Sequence, residues 1–235
     1  LPFVLGEWQP LVCLGLLLAL WIVITASLNL WDRVKITSGQ LSVFQKLRMQ
    51  SRSYYGMQVA HVGVAVFIVG VTLVTGYQSE RDVRMNIGDT VAVGGYDFRL
   101  RSVNQIPGPN YVAARGEVEV SRKGEYIETM YPEKRSYLAS GNAMTETAID
   151  TGLFRDLYVS LGEPVGGNAW SVRVYYKPFV DWIWGGALLM AIGGGLALSD
   201  RRYALAARKQ REANAAGGKD KPVPSLAAAS VKAEP

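Results

Sequence analysis

The chain has 235 residues, of which 49% are hydrophobic, and a net charge of +5. Its apolar residues lie in three blocks, and this distribution excludes an ordinary soluble protein. Its 25 Lys and Arg residues do not indicate a nucleic-acid-binding protein, since the basic excess lies beside these blocks. The single cysteine, Cys13, excludes an intrachain disulfide, a CxxC redox pair and a CxxCH haem-attachment motif.

The first predicted element is a membrane span within residues 1–30, preceded by a short stub outside the membrane. Residues 11–30 carry no formal charge, and a helix of that length crosses a hydrocarbon core of roughly 30 Å. The residues before it lack the basic start and the cleavage site of a signal peptide, and Leu1 is not methionine. We therefore expect the chain to be the later part of a longer multi-span protein, or one piece of a divided one.

Residues 31–56 are predicted to form a basic cytoplasmic loop. They hold five Lys and Arg residues against one acid, Asp32, and basic residues beside a span mark the cytoplasmic side. Within the loop, residues 41–49 (LSVFQKLRM) have the apolar spacing of a short helix on the membrane surface, and an irregular loop fits them equally well.

The second predicted span, residues 57–76, contains His61, the single histidine of the chain. A histidine inside a bilayer is costly and is normally partnered or functional. Counted from Met57, it lies about 6 Å along the helix, in the cytoplasmic half. Small residues recur on one face of this helix, which allows a second helix or a flat ligand to approach its backbone, and helix packing is the commoner case. These residues are Gly56, Ala60, Gly63 and Gly70.

Residues 77–178 are predicted to form an all-β extracytoplasmic domain, either a small antiparallel barrel or a sandwich. Twelve basic and thirteen acidic residues give the segment no cytoplasmic charge bias. Short runs of alternating apolar and polar residues are separated by turns at residues 88–89, 94–95, 107–109, 123–124 and 166–167. Eight strands are predicted, at residues 82–87, 90–93, 96–103, 111–122, 126–131, 143–150, 157–161 and 170–176. Without histidine, cysteine or clustered carboxylates, the domain shows no catalytic pattern.

The third predicted span is residues 179–198, followed by a basic cytoplasmic tail, residues 199–235. Trp182 and Trp184 fit the aromatic belt at the outer interface, and the tail holds eight basic residues against four acids. From Arg208 onward the tail has little to bury and is expected to be disordered. The predicted fold class is a membrane protein with three α-helical transmembrane segments and an all-β extracytoplasmic domain.

Three interpretations of His61 follow from the residues alone. The imidazole can hydrogen-bond a neighbouring helix, relay protons, or ligate a metal or haem iron. Ligation by two histidines requires a second imidazole, and this chain has none besides His61. A haem here would take its second ligand from another chain, from an upstream part of the protein, or from a symmetric copy.

Two groups of residues are distinctive. One is the segment of residues 57–65 (MQVAHVGVA) followed by Gly70, and the other comprises residues 177–180 (KPFV), 182–190 (WIWGGALLM) and 200–202 (DRR). Together they resemble the C-terminal region of the CcmF family of cytochrome c-type biogenesis proteins. The resemblance covers nearly all of the chain up to about Arg211.

The resemblance implies that His61 is the transmembrane histidine that ligates a b-type haem, the haem b of the family. It implies a haem lyase subunit of the bacterial inner membrane, with the β domain in the periplasm. The resemblance further implies that this haem b takes electrons from quinol and reduces incoming haem before its attachment to apocytochrome c. Residues expected to line the haem beside His61 are Met57, Gly63, Val64 and Ala65.

Parts of the family pattern have no counterpart in this sequence. The tryptophan-rich external segment, the two external histidines and the other transmembrane histidine of the family would lie upstream of Leu1. The chain alone is therefore expected to supply half of the haem ligand set and not to catalyse haem attachment. Expected partners are the N-terminal part of the same protein, the haem chaperone CcmE, CcmH, CcmI, apocytochrome c, quinol and membrane lipid, with no nucleic acid.

Two alternative functions remain open. The chain could be a quinol-linked b-type cytochrome subunit unrelated to cytochrome maturation. It could also be a non-catalytic membrane anchor, in which three helices hold a β domain for complex assembly.

Overall fold

The computed structural model describes residues 8–36, 42–200 and 212. The helices in these ranges are α1 (Pro10–Ile36), α2 (Val43–Arg48), α3 (Arg52–Tyr77) and α4 (Val180–Leu198). Helices α1, α3 and α4 are long and apolar enough to cross a membrane, and even the 19 residues of α4 reach roughly 30 Å. The three predicted spans are confirmed. The expected outer stub and disordered tail lie mostly outside the described residues.

The segment predicted as a loop, residues 31–56, is largely helical where it is described. Helix α1 extends into it as far as Ile36, and helix α3 begins within it at Arg52, after Ser51, whose side chain accepts from the Tyr54 N–H as an N-cap. Helix α2 begins with a capping box, in which the Ser42 side chain accepts from the Gln45 backbone N–H and the Gln45 side chain accepts from the Ser42 N–H. A short helix within residues 41–49 is thus confirmed, whereas its location on a membrane surface stays a prediction.

Helices α3 and α4 pack antiparallel with their backbones in close contact. A Cβ atom added at Gly63 would lie 2.7 Å from the Met190 nitrogen, and one added at Gly193 would lie 2.6 Å from the Gly56 oxygen. Only glycine permits this approach, so the small-residue face of α3 serves helix packing.

Helix α1 packs against another face of α3. The Gln9 side chain donates to the Gly76 carbonyl over 2.8 Å, and an apolar cluster joins α1, α3 and the start of α4. The cluster contains Val12, Leu73, Tyr77 and Phe179, with Leu16, Val69 and Trp182 against it. Most of the other α1 side chains are exposed within the described part of the chain, so α1 has a broad face free for lipid or further helices.

The β domain is a sandwich of two antiparallel sheets. Its strands are β1 (Ser79–Asn86), β2 (Thr90–Val93), β3 (Tyr96–Pro107), β4 (Tyr111–Arg122), β5 (Glu125–Met130), β6 (Glu133–Tyr137), β7 (Ala143–Glu146), β8 (Ala148–Asp150), β9 (Arg155–Pro164) and β10 (Ala169–Pro178). One sheet has the order β1-β10-β9-β8, and the other has the order β2-β3-β4-β6-β7, with β5 also pairing β4. The predicted all-β domain is confirmed, and of the two forms considered, a barrel and a sandwich, it is the sandwich.

The alternating residues of both sheets meet in one apolar core. Its fully buried side chains come from five strands, and they are Met85, Phe98, Leu100, Val118, Val120, Leu157, Val159, Leu161, Val172 and Val174. The predicted turns at 94–95 and 123–124 are two-residue hairpin turns with positive φ at both positions, as hairpins of this type require. The prediction missed β6, whose residues EKRSY carry no alternation, and it merged β7 with β8.

The sandwich continues directly from two of the spans. Gln78 alone separates α3 from β1, and Phe179 alone separates β10 from α4. Strands β1 and β10 pair antiparallel, with Ser79 opposite Tyr176. The α3–α4 pair therefore passes into the β1–β10 pair, which fixes one end of the sandwich against the spans. We call this the membrane-proximal end.

Candidate functional site

His61 lies on α3, nine residues after Arg52 and sixteen before Tyr77, so it is about 14 Å and about 24 Å from the two helix ends. Its side chain is exposed among the described residues. The Nδ1 atom lies 2.7 Å from the Met57 carbonyl oxygen. Because a carbonyl only accepts, Nδ1 donates this bond, and in the neutral imidazole the lone pair is then on Nε2.

A polar cleft lies beside His61 between α1 and α3. It has a volume of about 220 Å³ and is lined by Thr25, Ala26, Asn29, Met57, Gln58 and His61. Tyr54 donates to the Asn29 side chain over 2.8 Å, and the Gln58 amide donates to the Tyr54 hydroxyl over 2.7 Å and to the Ala26 carbonyl over 3.2 Å. These bonds satisfy polar groups inside a span and hold α1 against α3 next to the histidine.

This polar network is not among the features predicted from the sequence. Tyr54, Gln58 and His61 stand at spacings of four and three, which places them on neighbouring turns of one helix face. Polar side chains inside a span at such spacing are a signal for a shared partner or site. Asn29, near the end of the first apolar block, lies opposite them on α1.

The structure separates the residues predicted to line a haem. Met57 is adjacent to His61 and 40% exposed, and Val64, one turn further along α3, is half-buried. Gly63 is buried against α4, and Ala65 is 3% exposed in a separate apolar cleft against α1. Gly63 and Ala65 therefore face neighbouring helices, and the haem contacts predicted for them stay predictions.

The face of α3 that carries His61 is covered by no helix within the described ranges. At about 100° per residue, the residues grouped around His61 on this face are Met57, Val64 and Ile68. Further along α3, Val71 and Thr75 line a separate cleft with Leu11 and Val12 at the start of α1. Helix α4 covers the glycine face, and α1 covers the face of Gln58, Ala65 and Val69. The open face is thus a mainly apolar strip with one imidazole near its end.

The charged side chains of the β domain form ion pairs. Among the described residues, no group of three or more His, Cys, Asp and Glu side chains could hold a metal ion. The Glu133 carboxylate is 8% exposed and pairs with Arg115 and Arg135. Burial opposes its ionisation, but the hydrogen bonds from both arginines outweigh this and hold the pKa of Glu133 below its ordinary value.

Comparison with known proteins places this geometry in a family. The family described as CcmF C-terminal beta-sandwich matches residues 76–178, which coincide with the ten-stranded sandwich. The cytochrome c-type biogenesis protein CcmF of Pseudomonas aeruginosa is 46% identical over 198 residues, 84% of this chain and 30% of that protein. CcmF of Escherichia coli is 45% identical over 190 residues, 81% of this chain and 28% of that protein. The chain belongs to the CcmF family.

The similarity to CcmF extends beyond the sandwich into the helices, since the aligned stretches are longer than residues 76–178. The chain corresponds to a C-terminal region of CcmF and spans about 30% of the length of these relatives. A solved structure of "Cytochrome c Heme Lyase CcmF" superposes with a TM-score of 0.66 at 20% identity, over 83% of this chain and 32% of that one. It shows that the arrangement of three spans and a sandwich is the CcmF fold.

Proposed function

We propose that this chain is the part of a CcmF-type haem lyase subunit that supplies His61 as one axial ligand of a b-type haem within the membrane. Membership of a family named for cytochrome c-type biogenesis supports a role in that process. The residue assignment rests on the hydrogen bond of His61 Nδ1 to the Met57 carbonyl, which leaves Nε2 free on an open face of α3.

The residues around His61 fit such a group. A neutral imidazole whose N–H is held by a backbone carbonyl is the usual form of a histidine ligand. The open face beside it, with Met57, Val64 and Ile68, offers an apolar surface along which a macrocycle can lie. The polar cleft of about 220 Å³ is smaller than the roughly 300–1,000 Å³ of ordinary ligand pockets. The haem would therefore lie on the open face and be enclosed by a further part of the assembly.

The second axial ligand must come from outside this chain. His61 is its single histidine, and a bis-histidine site needs two imidazoles. The N-terminal part of the same protein is the proposed source. Its helices would cover the open face of α3, which explains why this face is apolar and unpaired among the described residues.

Three elements of the chain would position the ligand. The Met57 carbonyl sets the orientation of the imidazole, and the bonds of Gln58 to Tyr54 and to α1 fix the helix on which it lies. When bound, the haem would supply one-electron reduction of incoming haem, with quinol as the electron source. His61 lies about 24 Å from the sandwich end of α3, so it would deliver electrons and not contact apocytochrome c.

We also propose the orientation of the chain in the membrane and its protein partners. Basic residues beside the ends of the spans support a cytoplasmic position for α2 and the tail, and thus a periplasmic sandwich in a bacterial inner membrane. CcmE, CcmH, CcmI and apocytochrome c are the proposed partners on the periplasmic side.

The test compares variants of the assembled complex by reduced-minus-oxidised absorption spectroscopy. His61→Ala should abolish the b-haem bands and c-type cytochrome maturation, while Val71→Ala, about 15 Å away on the same helix, should retain both. In His61→Gly, added imidazole should restore the bands, which a folding defect would not allow.

The outcomes separate the candidate functions. Intact b-haem bands in His61→Ala would reject the ligand assignment. Loss of the bands with normal maturation would instead favour a quinol-linked b-type cytochrome. Normal bands and normal maturation together would favour a membrane anchor for the β domain.

A further inference from the structure

An exposed apolar loop lies at the membrane-proximal end of the sandwich. Strand β10 reaches this end at Tyr176, which pairs with Leu157 of β9, and Leu157 pairs in turn with Asp150 of β8. The β8–β9 loop, residues 151–154, therefore turns beside the first residues of α4. Its two apolar side chains, Leu153 and Phe154, are 62% and 58% exposed among the described residues.

This loop is fastened to the third span. The Trp182 indole N–H donates to the Leu153 carbonyl over 3.0 Å, and the Phe179 N–H donates to the Phe154 carbonyl over 3.1 Å. The Phe154 ring packs against the rings of Phe179 and Trp182, with centroids 5.8 Å and 6.4 Å apart. Leu153 is thus held level with the first turn of a membrane-spanning helix.

The loop is also held in shape from the sandwich side. The buried carboxylate of Asp156, 2% exposed, accepts from the Gly152 N–H over 3.1 Å, and the Arg155 N–H donates to the Gly152 carbonyl. Leu153 and Phe154 are therefore presented outward by a loop bonded on both sides. Large apolar side chains that are grouped at a surface mark a site of contact with a membrane or another apolar partner.

The surface around the loop has the composition of a membrane interface. On the outer face of the first sheet, Ile149 is 52% exposed and lies opposite Tyr158, and Tyr158 lies opposite Tyr175. The Lys177 ammonium is 5.1 Å from the centroids of both tyrosine rings. Tyr, Trp and Lys with an apolar edge form the belts that sit among lipid headgroups.

We propose that this surface rests in the interfacial layer of the lipid bilayer, with the Leu153 and Phe154 side chains inserted among the upper acyl chains. We name it the interfacial patch, and it consists of Ile149, Leu153, Phe154, Tyr158, Tyr175 and Lys177. Lipid is the partner because the patch is continuous with a span through Trp182, and because the exposed Trp184 of α4 lies at the same level. The contact fixes the tilt of the sandwich on the membrane, whatever His61 binds.

The test measures the depth of spin labels on the full chain in lipid nanodiscs. Labels are attached at Leu153→Cys and Ile149→Cys in a Cys13→Ala background, and collision rates with oxygen and with a water-soluble nickel chelate are compared. The matched control is Leu138→Cys, which is 72% exposed and lies beyond the Tyr137–Tyr111 pair at the far end of β4. The twelve residues of β4 put the control roughly 40 Å from the membrane-proximal end.

The labels at residues 153 and 149 should collide several-fold more often with oxygen than with nickel, and the label at 138 should show the reverse. A label at 153 with the nickel accessibility of the label at 138 would show that the loop is in water, and would overturn the proposal. A label at 153 reached by neither reagent would show that protein covers the loop, and would overturn it equally. Leu153→Asp keeps the backbone bond to Trp182, and should raise nickel accessibility at residue 149 by lifting the patch out of the lipid.

Discussion

Two adjacent glycines of α4 give a sharp test of the helix packing that carries His61. A Cβ atom at Gly193 would lie 2.6 Å from both the Ala60 nitrogen and the Gly56 oxygen, whereas one at Gly194 would meet nothing within 4 Å. The substitutions Gly193→Ala and Gly194→Ala therefore add the same methyl group to the same helix, one inside the α3–α4 contact and one outside it.

The expected free-energy changes have opposite signs. Both variants gain about 0.5–1 kcal/mol from the better helix propensity of alanine. At Gly193 the contact must open by roughly 1 Å to reach ordinary van der Waals separation, and overpacking of this kind costs about 1–3 kcal/mol. Because the propensity gain is common to the pair, the difference between the two variants isolates the steric cost, about 1–3 kcal/mol.

The assay is reversible unfolding of the purified chain in mixed micelles with increasing SDS, followed by far-UV circular dichroism. Gly193→Ala should unfold at a lower SDS fraction than the parent, and Gly194→Ala at an equal or higher one. If the two variants agree within about 0.5 kcal/mol, the backbones of α3 and α4 are not in contact and the packing argument fails.

Three further outcomes are expected. Gln58→Leu removes both of the hydrogen bonds donated by its amide, and should destabilise the chain by about 0.6–1.7 kcal/mol in the same assay. The lowered pKa of Glu133 means that its ion pairs stabilise the sandwich above the ordinary carboxyl pKa and are lost as pH falls below it. Glu133→Gln should accordingly lower the Tm at pH 7 and flatten the decline of Tm in acid, and an unchanged acid limb would contradict the ion-pair argument. Gly124→Ala should cost about 1–2 kcal/mol from backbone strain alone, because φ is 82° and no atom lies nearby; a neutral Tm would refute it.

Local chemistry explains which parts of the fold could be predicted. The spans follow from uninterrupted apolar length, and the turns at 94–95 and 123–124 follow from Gly94, Gly95 and Gly124, which adopt positive φ. Strand β6 could not be found this way. Its charged residues are stabilised by partners far along the chain, with Glu133 paired to Arg115 on β4, and no local pattern records such a pairing.

The candidate site, too, could be predicted from the sequence only in part. A single histidine inside an apolar block predicts a partner or a function, and the histidine count predicts that any haem takes its second ligand elsewhere. Helical spacing alone could not distinguish Val64, on the open face, from Gly63 and Ala65, which α4 and α1 bury.

The sequence by itself determined three spans, an all-β domain and one imidazole within the second span, because length, alternation and residue identity are local properties. Only the tertiary structure decided which face of α3 stays open, how Gln58 and Tyr54 join α1 beside His61, and where Leu153 lies relative to Trp182. Those answers depend on contacts between residues many positions apart, such as Trp182 with Leu153 and Gly63 with Gly186, and it is these contacts that leave His61 exposed on α3.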